Sequence, residues 1–171
     1  MRVAAICVLV CACGFWGMRR AGRLSGRIEQ LLMAMEALRR LQGYMLHWKR
    51  ELCDALISAG AARGLGAVLK TAGGRMQEEY DALPGAVLSD TLEKAQKEEL
   101  RELHAKDWNV LYEFFSSLHM LDSEQAGARF GFVMERLCDS LAEARAEKEK
   151  KSRLIRSLGW MTGLAIALLL A

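Results

Sequence analysis

Three histidines and five cysteines are the residues of this 171-residue chain best suited to hold a metal or attack a substrate. Their spacing argues against both. Cys7, Cys11 and Cys13 fall in one uncharged run, and no other pair has the C-x-x-C or H-x-x-x-H spacing that turns two ligands toward one ion. Cys53 and Cys138 occupy apolar helical registers, where cysteine serves as a small core residue, and a reducing cytosol keeps both as thiols. His47 adjoins Trp48 on a mixed face, while His104 and His119 stand near expected helix ends, positions of packing and capping rather than of proton transfer. The segment Gly60-Ala61-Ala62-Arg63-Gly64-Leu65-Gly66 lacks the Lys-Ser/Thr ending of a phosphate loop and has no strand before it, so a hinge or loop is expected. Glu78, Glu79 and Asp81 form a wet acidic cluster without a defined pocket. No catalytic residue, cofactor site or metal site is therefore assigned.

The elements that carry these residues are expected to be helices. The chain is 52% hydrophobic and 26% charged, with one proline and 7% aromatic residues, a composition that excludes disorder and favours an all-α fold. A net charge of +3 gives no general reason to bind nucleic acid. From Ser25, the stripe Ile28, Leu31, Leu32, Met35, Leu38, Leu41, Met45 recurs every three or four residues and continues through Trp48, Leu52, Leu56 and Ile57. It predicts one long helix or two broken near Gly43. A short helix around Ala67–Lys70 is expected before Gly73-Gly74, and Leu83-Pro84-Gly85 is the strongest stop signal. Asp90 with Glu93 predicts a capped helix start through Leu92, Ala95, Leu100 and Leu103, and Val110, Leu111, Phe114, Phe115 and Leu118 form the next apolar stripe. Asp122 as N-cap with Gln125 at the third helical position opens a final helix. It is expected to bury Phe130, Val133, Met134, Leu137, Cys138 and Leu141, then run through a charged stretch without a breaker. Pairs such as Glu147 with Lys151 support that stretch.

Both ends are apolar. Val3 to Met18 carries no charge and is followed by Arg19, Arg20, Arg23 and Arg27; Leu158 to Ala171 is also uncharged and is preceded by Lys148, Lys150, Lys151, Arg153 and Arg156. Basic flanks stay on the cytoplasmic side, so both place the middle in the cytosol, and Trp16 and Trp160 stand where an indole reaches the headgroups. Arg19, Arg20, Trp16 and Trp160 are the expected interfacial anchors. The front run of about 16 residues reaches roughly 24 Å and the tail of about 14 roughly 21 Å, against a hydrocarbon core of ~30 Å. A membrane hairpin is expected, with a half-inserted tail as the alternative. The expected organisation is an anchor at 1–22, a cytosolic helical domain at 23–157 and a transmembrane segment at 158–171. A secretory or lipoprotein signal around Val10-Cys11-Ala12-Cys13 is the rival at the front, opposed by the arginine cluster just downstream. Gly159 and Gly163 have the small-x-x-x-small spacing that lets membrane helices approach closely, with the front anchor or with a second copy in a homo-oligomer.

The arrangement resembles the stage III sporulation protein AB family of endospore-forming bacteria. The resemblance is carried at the front by Gly14-Phe15 and Gly17, then Ile28, Leu31, Leu32, Ala37, Leu38 and Leu41. At the back it rests on Leu121-Asp122-Ser123-Glu124-Gln125, Arg156-Ser157-Leu158-Gly159-Trp160 and Gly163-Leu164. The family's Leu-Glu-x-Glu-Ile-x-Tyr and Pro-Leu-x-Glu-Ala-Leu segments correspond to Leu41-Gln42-Gly43-Tyr44-Met45-Leu46-His47 and Glu51-Leu52-Cys53-Asp54-Ala55-Leu56, where the glutamates, tyrosine and proline are replaced. The resemblance implies a non-enzymatic subunit of the mother-cell membrane complex facing the forespore. It also implies a cytosolic domain similar to type II secretion and type IV pilus platform proteins, a cytosolic secretion-type ATPase as partner, and other sporulation membrane subunits as neighbours. An unrelated membrane-anchored adaptor, such as a division or envelope scaffold, would share the composition but not these matches.

Overall fold

A computed structural model describes residues 25–79, 83–118 and 123–170, with side chains in the last helix described from Gln125 to Lys151. Every regular element among the described residues is helical. Helix α1 runs through residues 25–42 and passes into a π-helical turn, Gly43–His47. It is followed by α2 (Leu52–Ala59), α3 (Gly64–Glu78), α4 (Pro84–Lys97), α5 (Ala105–Leu118) and α6 (Ser123–Leu170). The chain divides into two compact units, Glu29–Leu141 and the pair of segments Met1–Ile28 and Ala142–Ala171.

The first unit is the helical body. Leu31, Ala34, Met35, Leu38 and Leu41 of α1 are buried, as the three-and-four spacing requires, while Leu32 lies at the edge of the stripe and is 44% exposed. Neighbouring helices pack in chain order, α2 on α3, α3 on α4 and α4 on α5. The break near Gly43 is real, and its form is the π turn, which takes up an extra residue and moves the following side chains out of phase with the α1 stripe. Trp48, expected to continue the stripe, is consequently 71% exposed.

Two glycine expectations are corrected. Helix α3 does not stop before Gly73-Gly74 but runs through both to Glu78. A Cβ on Gly73 would stand 2.7 Å from Ile57 Cγ1 and 3.0 Å from the Cys53 carbonyl oxygen, so the absent side chain is what lets α3 lie close on α2. The glycine-rich segment is a connection only in its first half, because Gly64 and Gly66 already belong to α3. Gly64 enters that helix with φ +59°, a left-handed conformation that suits glycine.

Pro84 is a start rather than a stop. It occupies the first turn of α4, where its fixed φ fits the helix and its missing N–H is not needed. Asp90, expected to cap a helix, therefore lies within α4. That helix ends at Lys97, and the capping acid of the next one is the buried Asp107: its Oδ2 accepts from the His104 N–H at 3.3 Å, while the Trp108 N–H donates to the His104 carbonyl at 3.0 Å. The turn between α4 and α5 is held from α1, since Gln30 Nε2 donates to the Glu99 carbonyl at 2.8 Å and its Oε1 accepts from the Glu102 N–H at 3.1 Å.

Leu111, Phe114, Phe115 and Leu118 of α5 are buried, and Phe114 meets Phe115 and Phe130 edge-on at ring separations of 5.0 and 4.8 Å. Phe130, Val133, Leu137 and Leu141 form the buried face of α6, and Met134 is half-buried. Cys138 is exposed, contrary to its expected place in the core, because it follows Leu137 by one residue and so sits about 100° round the helix. The missing breaker does mean an unbroken helix: α6 has 48 residues, about 72 Å. Among the described residues no helix is long and apolar enough to cross a membrane. The expected membrane segment at 158–171 forms the last part of α6 as far as Leu170, and its side chains lie outside the described ones. The front run lies outside the described residues.

Candidate functional site

Among the described residues no group of three or more His, Cys, Asp or Glu side chains could hold a metal. Cys53 Sγ donates to the Gly73 carbonyl at 3.2 Å, joining α2 to α3. Burial pushes its thiol pKa up, and Asp54 and Glu51 add to the rise, the opposite of what a nucleophilic thiolate needs.

The most connected polar cluster joins α3 to α4. Arg75 Nη1 donates to Asp90 Oδ2 at 2.6 Å and to Thr91 Oγ1 at 3.1 Å, and its other nitrogens reach Glu79. Lys94 Nζ donates to the same Asp90 oxygen at 2.8 Å. Lys94 and Arg75 together hold the Asp90 carboxyl below the usual carboxylate range. A depressed acid stabilises the fold above its unfolded pKa and ceases to do so as pH falls through the folded value. Asp90→Asn is therefore expected to unfold at lower temperature than the parent at pH 7, with the difference closing below about pH 4. Melting both proteins across that range checks it; a gap that persists at pH 2 contradicts it. Beside this cluster an open groove of about 660 Å³ runs between α4 and α5 past Glu93, Lys94, Trp108 and Tyr112. The Tyr112 hydroxyl donates to Glu93 Oε1 at 3.3 Å, so these polar groups serve one another and present no nucleophile beside a base.

The feature best suited to meet another molecule is the loop after α1. The Trp48 N–H donates to the Gly43 carbonyl at 3.3 Å and the Arg50 N–H to the Tyr44 carbonyl at 3.2 Å, which ties the loop back onto the π turn. Lys49 adopts φ 47°, a left-handed conformation unusual for a residue with a side chain. The Arg50 guanidinium lies over the Tyr44 ring at 5.7 Å and donates to Ser58 Oγ at 3.2 Å. A Cβ on Gly127 would stand 3.6 Å from Leu46 Cδ1, so the turn also rests on α6. The result is a fixed loop presenting a wide, exposed indole among His47, Lys49 and Arg50. Periodicity did not mark it, because Trp48 continues the three-and-four spacing of Leu41 and Met45 toward Leu52.

The second unit holds an ion-pair clasp. Arg27, 2% exposed, places its guanidinium nitrogens 3.7 Å from Glu143 Oε2 and 3.8 Å from Glu147 Oε2, and Lys151 Nζ donates to Glu147 Oε1 at 2.5 Å. Because the two glutamates keep much of their hydration, Arg27→Met is expected to cost only about 1–2 kcal/mol. Arg27→Glu, which crowds three carboxylates, is expected to cost more. Thermal unfolding of the full chain in detergent checks the order, and added salt should narrow the gap between the variants.

The other residues singled out by sequence are dispersed. Asp122, Arg19, Arg20 and Trp16 lie outside the described residues. Gln125 is the third residue of α6 and exposed. Gly159, Trp160 and Gly163 lie in the helical backbone of α6. Residues 2–171 match the family model described as stage III sporulation protein AB. No curated protein and no solved structure matches the chain.

Proposed function

The chain belongs to the stage III sporulation protein AB family, and from that premise we propose that it is a non-enzymatic platform subunit of the mother-cell membrane complex facing the forespore, docking a cytosolic secretion-type ATPase. The observation that carries this is α6, one continuous helix that begins in the core of the body, passes through a dense charged stretch and ends in the uncharged tail. A helix without a breaker transmits displacement along its axis, as a link between a soluble motor and membrane partners must. The Arg27 clasp would hold the start of α1 against that link.

In this proposal the front run anchors the chain and the tail dips into the bilayer as a short anchor, with Trp16 and Trp160 at the headgroups and Arg19 and Arg20 on the cytosolic side. Gly159 and Gly163 would give the tail a close-packing face toward the front anchor or a second copy. The membrane flanks support a cytosolic body, the side on which ATP is present. Affinity purification of the tagged full chain from sporulating cells tests the proposal: the sporulation ATPase should co-purify, and recovery of a division protein in its place would overturn it.

A further inference from the structure

We infer that the charged stretch of α6 from Arg145 to Arg156 is a binding surface for anionic phospholipid headgroups; this rests on the membrane anchoring proposed above. The first observation is that charge is sorted between the two units. By sequence, residues 1–28 and 142–171 hold eleven Lys and Arg against three acids, a net +8, whereas residues 29–141 hold thirteen against eighteen, a net −5; together they give the +3 of the chain. A modest overall charge conceals one strongly basic unit.

Second, the acids of that unit are withdrawn from the basic stretch. Glu143 and Glu147 face Arg27 in the clasp, and Glu147 also takes Lys151. Glu149, the third, is engaged as well. Arg145, Lys148 and Lys150 are exposed, and no ion pair or side-chain hydrogen bond among the described residues engages them. No acid follows Glu149, and none stands before Glu29. Orientation in a membrane depends on Lys and Arg and is little affected by Asp and Glu. Clearing the acids as well serves net attraction to a negative surface.

Third, the basic stretch and an uncharged run succeed one another on a single helix. Helix α6 is unbroken from Ser123 to Leu170, so Lys151 stands about 10 Å along the axis from Leu158, where the uncharged run begins. That is about one Debye length. A surface that offers phosphate first and hydrocarbon about 10 Å further on is an anionic bilayer. Nucleic acid offers the charge without the hydrocarbon, and residues 142–157 contain no aromatic side chain on which a base could stack. The front segment has the same two parts in sequence, Val3 to Met18 and then Arg19, Arg20 and Arg23.

The test reconstitutes the full chain in nanodiscs of equal phosphatidylglycerol and phosphatidylcholine with identical acyl chains, extracts it in mild detergent and counts the retained lipids by native mass spectrometry. The parent should keep phosphatidylglycerol over phosphatidylcholine by at least about fivefold, the factor that one Lys or Arg near the surface contributes. Salt at about 1 M, where the Debye length is about 3 Å, should erase most of that preference. Lys148→Gln with Lys150→Gln and Arg153→Gln should bring the two lipids close to parity. Arg39→Gln with Lys70→Gln and Lys97→Gln removes the same charge from exposed sites on the body and should leave the preference unchanged. If the parent keeps both lipids equally, or the two triple variants behave alike, this inference fails and the anchoring stands. If the parent stays in water and enters no nanodisc, the anchoring itself fails and the inference with it. Displacement of the phosphatidylglycerol by a DNA oligonucleotide would assign the surface to nucleic acid and overturn the inference.

Discussion

Phe130→Ala is expected to cost about 4 kcal/mol of folding stability. Phe130 is fully buried and meets Phe114 edge-on, and Phe114 in turn meets Phe115, so one ring on α6 closes an aromatic cluster built by α5. Its removal forfeits the transfer of the ring out of water, the edge-to-face contact and the packing round the space left behind. Phe132, two residues on, is 46% exposed and carries only Arg136 over its ring at 5.2 Å. Phe132→Ala should therefore cost under about 1 kcal/mol. Urea unfolding of the two variants measures the difference directly. Equal losses would mean that α6 is not seated on α5 through Phe130, and a helix not seated in the body could not serve as the proposed link to a membrane.

Gly73→Ala and Gly74→Ala, adjacent substitutions in one helix, are expected to move stability in opposite directions. At Gly73 the new Cβ would collide with Ile57 and the Cys53 carbonyl, and nothing there is the free end of a flexible chain, so α2 and α3 must separate at a cost of about 2–3 kcal/mol. At Gly74 nothing lies within 4 Å, and alanine gains the helix propensity that glycine lacks, about 0.5–1 kcal/mol. Thermal melts should place the first well below the parent and the second slightly above it. A fall for both would show that α3 is not helical across this pair.

These two glycines also show why the sequence revealed the helices better than their limits. The spacing of Leu31, Leu38, Leu41, Phe114, Phe115, Phe130, Val133 and Leu137 placed α1, α5 and α6 correctly because burial imposes a period of 3.6 on any helix that covers a core. A glycine pair reads locally as a helix end, whereas its retention in α3 depends on how near Cys53 and Ile57 come from another helix. Pro84 is ambiguous for a related reason, since the ring that cannot continue a helix is well suited to begin one. Asp90 looked like a cap because its partner Arg75 lies fifteen residues away in another helix.

The candidate loop was legible only in part. The break near Gly43 was visible, but a π turn has no fixed sequence mark, and without it Trp48 extends the apolar stripe instead of leaving it. Arg27 appeared only as one more arginine of the basic flank. Its place between Glu143 and Glu147 depends on a contact across more than a hundred residues. The cap residues Asp122 and Gln125, by contrast, were read from local chemistry; Asp122 lies outside the described residues, and α6 begins at Ser123.

The proposal that the body stands on the cytosolic side of a membrane is tested most directly at Cys138, which is exposed on α6. With the other four cysteines replaced by Ser or Ala, a membrane-impermeant maleimide offered to intact cells making the protein should leave Cys138 unlabelled. The same reagent should label it in inside-out vesicles without detergent. Labelling of Cys138 in intact cells would put the body on the side without ATP and contradict the docking of a cytosolic motor.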